Sequence, residues 1–340
     1  MTQAELDRLR TMIDRRAAGG MPRDCHGDLH LDHVYLFPDR LPPDDLMIVD
    51  CIEFNERFRF SDPVSDTAFL VMDLLRVGRR DLADAFADTY FRAAADPEGR
   101  ELLRFYVAYR AVVRAKVAGI KAAEPEVPPE ERAAARDRAR AHWLLALSVL
   151  ESPQRRPGLV LVGGLPGAGK STLAKKLAAA AGFTVIRSDE VRKQLAGLAA
   201  GEGAVAPFGQ GIYTPEWTER TYAECLARAE REIFDGGRAL IDASFVADRH
   251  RQQFLDAAHR WGVSAAFFVC QAEPAAVLAR LRDRRDDPSD ADWSIYAQAR
   301  TAWEDFSPTV RPAVRLLDTS GSTDAAARQA LNELRAIGLT

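Results

Sequence analysis

The stretch LVLVGGLPGAGKSTLAKKLAAAAG, residues 159–182, decides the fold. An apolar, β-branched run leads into Gly164-x4-Gly169-Lys170-Ser171, and an alanine- and lysine-rich segment of helical character follows. Strand, glycine loop and helix in that order are the setting a phosphate-binding loop requires. Gly164, Gly167 and Gly169 let the backbone turn with its N–H groups facing inward, and the helix N-terminus adds partial positive charge. The spacing assigns Lys170 to the β- and γ-phosphates of ATP, the Ser171 hydroxyl to Mg2+, and Thr172 to the start of the helix. ATP and Mg2+ are therefore the expected cofactors.

Downstream, short apolar runs alternate with helical stretches. The strand candidates are LVLVGG (159–164), FTVIRSD (183–189), RALIDAS (238–244), SAAFFVC (264–270) and AVRLLDT (313–319). That alternation predicts an α/β domain: a parallel sheet with helices on both faces. Upstream the character changes. Residues 62–77, 81–95, 98–121 and 129–150 carry helical period, with the prolines of AEPEVPPE (123–130) punctuating the last two. The seam is ESPQRRPG (151–158), which predicts a mostly helical domain over 1–152 and the α/β domain over 153–340.

The 340 residues suffice for two cores, and 47% hydrophobic with 28% charged residues is ordinary for a globular chain. A net charge of −4 gives no overall attraction to nucleic acid or anionic membrane. No apolar run approaches a membrane span, and no basic-then-apolar leader opens the chain, so the expectation is a cytoplasmic protein without a membrane partner. Cys25, Cys51, Cys225 and Cys270 lie far apart without CxxC spacing and read as reduced, mostly buried thiols.

In VIRSDEVRKQL (185–195), Asp189 follows a predicted strand end, where a carboxylate can accept the proton of an attacking hydroxyl. Arg192 shares its helical face and suits an anionic substrate group. The plainer reading is that Ser188 or Asp189 caps the helix. Asp242 ends the third predicted strand and suits water-mediated magnesium or substrate contact, with a strand-end turn residue as the plainer reading. Arg280 and Arg284, four apart, can close over a nucleotide and neutralise charge on the transferred group, or belong to a solvated charged face.

These residues resemble the P-loop kinases of small hydroxyl compounds and of polynucleotide 5′ ends. GLPGAGKST and SDEVR are similar to the kinase half of bacteriophage polynucleotide kinase, and gluconate kinases, chloramphenicol phosphotransferases and zeta-type toxins share much of the pattern. The resemblance spans about residues 158–320. It implies Asp189 as general base, Arg192 at the substrate phosphate, and Arg280 and Arg284 as lid arginines.

CHGDLHLDHVYLF (25–37) and LMIVDCIEFNERF (46–58) resemble the catalytic loop and metal-binding strand end of aminoglycoside and choline kinases. The resemblance implies that Asp28 orients a substrate hydroxyl and Asp50 ligates magnesium, with Asp62 and Asp66 of SDPVSDTAFLVMDL (61–74) bracing the loop. His33 stands where that family has a metal-binding asparagine, and imidazole is a poorer ligand for magnesium. His26, His30 and His33 beside Asp28 and Asp32 also admit a zinc reading, with loop packing as the alternative.

The whole arrangement resembles bacterial fusions of an aminoglycoside-phosphotransferase-like lobe with a P-loop kinase. Only TQAELDRLRTMIDRRAAGG (2–20) precedes the loop, so the first domain reads as lacking its N-terminal lobe and Asp28, His33 and Asp50 as a vestigial site. The expected function is transfer of the ATP γ-phosphate to a small-molecule hydroxyl, with the chemistry in the second domain. No basic stripe with interleaved aromatics favours a nucleic-acid acceptor, so a polynucleotide 5′-hydroxyl kinase ranks second. An ATP-dependent switch with an inactive scaffold is the alternative from another class.

Overall fold

The structure is a computed structural model, and it describes residues 2–198, 210–283 and 292–340. The chain divides into two compact units, Met1–Leu150 with Arg260–Gly262, and Glu151–His259 with Val263–Thr340.

The first unit opens with α1 (Thr2–Ala18), followed by the short strands β1 (Arg23–Asp24), β2 (Val34–Leu36) and β3 (Leu46–Ile48), the single turn α2 (Glu56–Arg59), and β4 (Phe60–Ser61). Longer helices complete it: α3 (Pro63–Arg76), α4 (Arg80–Ala94), α5 (Pro97–Ala123) and α6 (Pro129–Leu150). β1 pairs with β4 and β2 with β3, both antiparallel. Leu9, Val64, Phe69, Met72, Leu102 and Phe105 form the centre of its core.

Proline opens α3 and α5 because its missing N–H costs nothing at a helix start, and Asp62 and Asp96 cap them by accepting from Val64 N and Gly99 N. Both caps converge on Arg16 of α1. Its Nε donates to Asp62 at 2.7 Å, and its two terminal nitrogens donate to Asp96 at 2.8 and 2.7 Å. One buried guanidinium thus ties two helix N-termini to α1.

The second unit runs β5 (Gly158–Gly164), α7 (Lys170–Ala181), β6 (Thr184–Arg187), α8 (Ser188–Leu195), α9 (Pro215–Phe234), β7 (Arg238–Asp242), α10 (Asp248–Trp261), β8 (Ser264–Gln271), α11 (Pro274–Asp283), α12 (Trp293–Thr301), β9 (Val314–Asp318) and α13 (Thr323–Ala336). The five strands lie in the order β6-β7-β5-β8-β9, all parallel. β5 is central and fully buried, which is why LVLV is apolar at every position rather than alternating.

Alternate residues of β5 face opposite layers. Val160 and Val162 pack with Leu173 and Leu177 of α7 and Leu334 of α13, while on the other side Phe267 of β8 meets Phe245, which in turn packs on Tyr222 of α9 and Phe254 of α10. The expected parallel sheet with a helical layer on each face is present, preceded by a mostly helical unit. All five expected strands form, within two residues of their anticipated bounds. On the second face the fully buried Arg251 donates to the carbonyls of Phe245, Val246 and Glu304, tying the loop after β7 to the segment before β9.

Two expectations need correction. The helix after the glycine loop begins at Lys170, not Thr172, because Gly169 in the left-handed region already turns the chain into it, and Thr172 is an exposed residue of its first turn. The thiols are not uniformly hidden either. Cys225 and Cys270 are buried and Cys25 is half-buried, but Cys51 is exposed. Among the described residues no helix is long and apolar enough to cross a membrane.

Candidate active site

The glycine loop leaves the C-terminal end of β5 and enters α7. Gly164 has φ +134°, where only glycine is at ease, and a Cβ there would lie 2.5 Å from the Cys270 carbonyl oxygen on β8. Gly167 and Gly169 also have positive φ, at +75° and +91°. The loop is held from the far edge of the sheet: buried Thr319, just past β9, donates its hydroxyl to Ala168 O at 2.6 Å. Arg280 of α11 donates to Thr319 O at 2.5 Å and to Gly167 O at 3.4 Å, which sets its guanidinium beside Gly169. Lys170 Nζ donates to Leu165 O at 3.0 Å, within the loop itself.

Parallel register aligns Val162 of β5 with Asp242 of β7, and Asp242 with Arg187 of β6. Three strand ends therefore meet below the loop. Arg187 donates to Asp242 Oδ2 at 3.3 Å, to Ser171 Oγ at 3.1 Å and to Glu190 Oε1 at 3.3 Å. Burial pushes the Asp242 carboxyl above the usual carboxylate range, against the opposing influence of Lys170, the Ser171 hydrogen bond and Arg187. A hydroxyl and a carboxylate, both hard oxygen donors with a positive charge already between them, fit magnesium. Lys170 with the inward glycine turns fits a nucleotide triphosphate.

Asp189 lies in the first turn of α8, two residues past Arg187, and it does not cap the helix: the N-cap is Arg187, without a side-chain capping bond. Arg192 is buried and held by the segment ahead of α9. It donates to Ile212 O at 2.7 Å, its guanidinium lies 5.2 Å from the Tyr213 ring, and its Nε has no hydrogen-bond partner among the described residues. Arg284 lies outside the described residues. Lys170, Ser171 and Asp242 thus come together with the glycines and Arg280, Asp189 stands at the neighbouring strand end, and Arg192 is anchored beside Tyr213.

Arg187 and Thr319 were not singled out by sequence reasoning. Arg187 had a usable signal, a basic residue at a strand end directly before Ser188-Asp189. Thr319 had none, since nothing local links it to a loop some 150 positions earlier in the chain.

In the first unit, Asp66 accepts from His26 N and Gly27 N, both at 2.9 Å, and Asp73 accepts from Leu31 N at 3.0 Å, so α3 holds the loop of residues 26–33 through two carboxylates. Asp62 caps α3 and pairs with Arg16. His30 Nε2 lies 3.3 Å from Asp28 Oδ2, and His33 Nε2 lies 3.3 Å from Asp50 Oδ2. The hydrogen bond from His30 holds the Asp28 carboxyl below its ordinary range although burial opposes this.

The parallel sheet, glycine loop and strand-end carboxylates make the second unit a P-loop kinase-like domain. Residues 159–304 match the family model described as an AAA domain. Over 309 residues the chain is 34% identical to proteins described as uncharacterised from Mycobacterium tuberculosis (strain ATCC 25618 / H37Rv) and Mycobacterium bovis (strain ATCC BAA-935 / AF2122/97), covering 90% of this chain and 58% of each relative. The chain spans less than two thirds of the curated relatives it matches. Among solved structures it is similar to a gluconokinase from Sinorhizobium meliloti 1021, with 19% identity and a TM-score of 0.40 over 54% of this chain and 95% of that one. A tunicamycin resistance protein of Deinococcus radiodurans matches with 20% identity and a TM-score of 0.36 over 53% of this chain and 96% of that one.

Proposed function

We propose that the second unit transfers the γ-phosphate of Mg-ATP to a hydroxyl of a small molecule. The observation that carries this reading is the meeting of Ser171, Asp242 and Lys170 under the glycine loop, with Asp189 at the adjoining strand end. In this reading the loop amides and Lys170 hold the phosphates. The Ser171 hydroxyl and Asp242 would hold magnesium, which would supply charge neutralisation at the phosphates. Asp189 accepts the acceptor hydroxyl's proton as the oxygen attacks the γ-phosphorus and the bond to the departing ADP breaks. Arg192 binds an anionic group of the acceptor through its Nε, unpartnered among the described residues, and Arg280, beside Gly169, neutralises charge on the transferred group. Arg284 joins it as the second lid arginine. The first unit then acts as the aminoglycoside-phosphotransferase-like lobe, with Asp28, His33 and Asp50 outside the transfer chemistry.

A second reading, an ATP-dependent switch that forms no transfer product, draws on one observation. Arg192 is engaged by Ile212 and Tyr213, so nucleotide-driven release of that segment would change shape rather than position an acceptor.

The test is transfer of labelled γ-phosphate into a fractionated metabolite extract and into a 5′-hydroxyl oligonucleotide, using folded wild type, Lys170→Ala, Asp189→Asn and Asp28→Asn. A product in the extract that is lost with the first two variants and kept with the third supports the proposal. Labelled oligonucleotide makes the polynucleotide reading correct. Nucleotide binding that depends on Lys170 without any product favours the switch, and loss with Asp28→Asn alone moves the chemistry to the first unit.

A further inference from the structure

The loop of residues 26–33 holds two imidazoles in a hydrogen-bonding arrangement that protons alone satisfy poorly. His33 Nδ1 is 2.9 Å from the Asp28 carbonyl oxygen, an acceptor only, so Nδ1 carries the hydrogen and Nε2 is left with its lone pair. That lone pair faces another acceptor, Asp50 Oδ2, at 3.3 Å. His30 repeats the pattern. It is 4% exposed, with Nε2 3.3 Å from Asp28 Oδ2 and Nδ1 3.6 Å from Asp32 Oδ2, and Nδ1 has no hydrogen-bond partner among the described residues. One proton serves one side of this ring, and the other side then turns a lone pair toward a carboxylate.

One divalent cation held among Asp28, His30 and His33 resolves the conflict inside the loop. Asp28, His30 and His33 each offer a ligand atom, and those atoms lie within 4.8 Å of one another. The 3.3 Å gap from His30 Nε2 to Asp28 Oδ2 matches the edge of a tetrahedron with bonds of about 2.0 Å, roughly 3.3 Å. The outer contacts also suit a metal-bound histidine. His33 Nδ1–H donates to a backbone carbonyl and His30 Nδ1 is directed toward Asp32, the two partners that usually orient such ligands.

We propose that Asp28, His30 and His33 bind a divalent transition cation of the zinc class, with solvent at the fourth position. Two imidazoles with a carboxylate favour zinc over magnesium, which prefers an all-oxygen shell. The inference concerns the first unit and does not depend on phosphotransfer by the second.

The test uses the full chain, stripped with a chelator, dialysed, and titrated with Co2+, Zn2+ and Mg2+. The expected result is one Co2+ per chain with the intense visible d–d absorption of a four-coordinate site, displaced one for one by Zn2+ and not by Mg2+. His30→Asn and His33→Asn are each expected to weaken Zn2+ binding on the order of 100-fold. His259→Asn, at an exposed histidine elsewhere, and Cys51→Ser are expected to leave it unchanged. Absence of the visible band, preference for Mg2+, or unchanged Zn2+ affinity in both loop variants overturns the proposal. A sulfur-to-cobalt charge-transfer band overturns the ligand set by placing Cys51 in it. If a loop variant fails to fold by circular dichroism, the wild-type cobalt spectrum alone decides.

Discussion

Arg187 donates to Asp242 across 3.3 Å, where the paired ends of β6 and β7 reach the glycine loop. The same guanidinium bonds Ser171, so the charge between hydroxyl and carboxylate is presently an arginine's. Both side chains are nearly buried, at 11% and 4% exposure, and removing one partner leaves the other's charge poorly compensated. Arg187→Gln is expected to cost about 2 kcal/mol in the nucleotide-free protein. Saturating Mg-ATP should recover most of that, since the metal then supplies the missing charge. Urea midpoints with and without Mg-ATP check this, and an equal loss in both would mean that Arg187 and magnesium do not share one position.

Arg16 gives the pH-dependent case. Its hydrogen bonds hold the Asp96 carboxyl below the ordinary carboxylate range, against the opposing effect of burial. A depressed folded pKa contributes stability that is present above the ordinary carboxylate value and lost as pH falls through the folded one. Arg16→Leu is therefore expected to destabilise the first unit by about 3 kcal/mol near neutrality, and by clearly less at about pH 3. Denaturant titrations of both proteins at the two pH values measure the narrowing gap. A gap that stays constant would assign Arg16 a packing role only.

The loop glycines should separate by mechanism. Gly169→Ala meets nothing nearer than 3.6 Å and pays only for its left-handed backbone, about 1–2 kcal/mol. Gly164→Ala adds a 2.5 Å approach to the Cys270 carbonyl and is expected to cost about 3 kcal/mol or more. Thermal unfolding of the two variants ranks them, and equal losses would show that the sheet yields around Gly164.

Thiol labelling reads the cysteine environments directly. Burial pushes the Cys225 and Cys270 thiols up to about 12, and Cys51 is exposed. Because the thiolate is the reactive form, a maleimide reagent on the native protein should modify Cys51 rapidly, half-buried Cys25 slowly, and the other two only after unfolding. Mass spectrometry of a time course assigns each site, and early modification of Cys225 or Cys270 would contradict the packing around β8 and α9.

The architecture of the second unit was legible because its determinants are local. A β-branched run, glycines at fixed offsets and a helix-forming stretch follow from backbone sterics and periodicity, and each strand–helix alternation repeats that information. Local pattern is weaker at a boundary such as Thr172, where the left-handed Gly169 had already begun the helix.

The site depends on groups brought together from far apart in the chain, and there the sequence by itself named residue types without their partners. It placed Asp189 and Asp242 at strand ends, Ser171 in the glycine loop and Arg192 on the helix after Asp189, but strand order and register put Arg187 rather than Asp189 against Asp242 and Ser171. Folding alone carried Thr319 to the glycine loop, lodged Arg192 beside Tyr213, and brought His33 within 3.3 Å of Asp50. Hydrogen bonds and charge pairs act over a few ångströms and carry no trace of sequence separation. The sequence therefore determined which elements form, and only the tertiary structure decided which side chains meet.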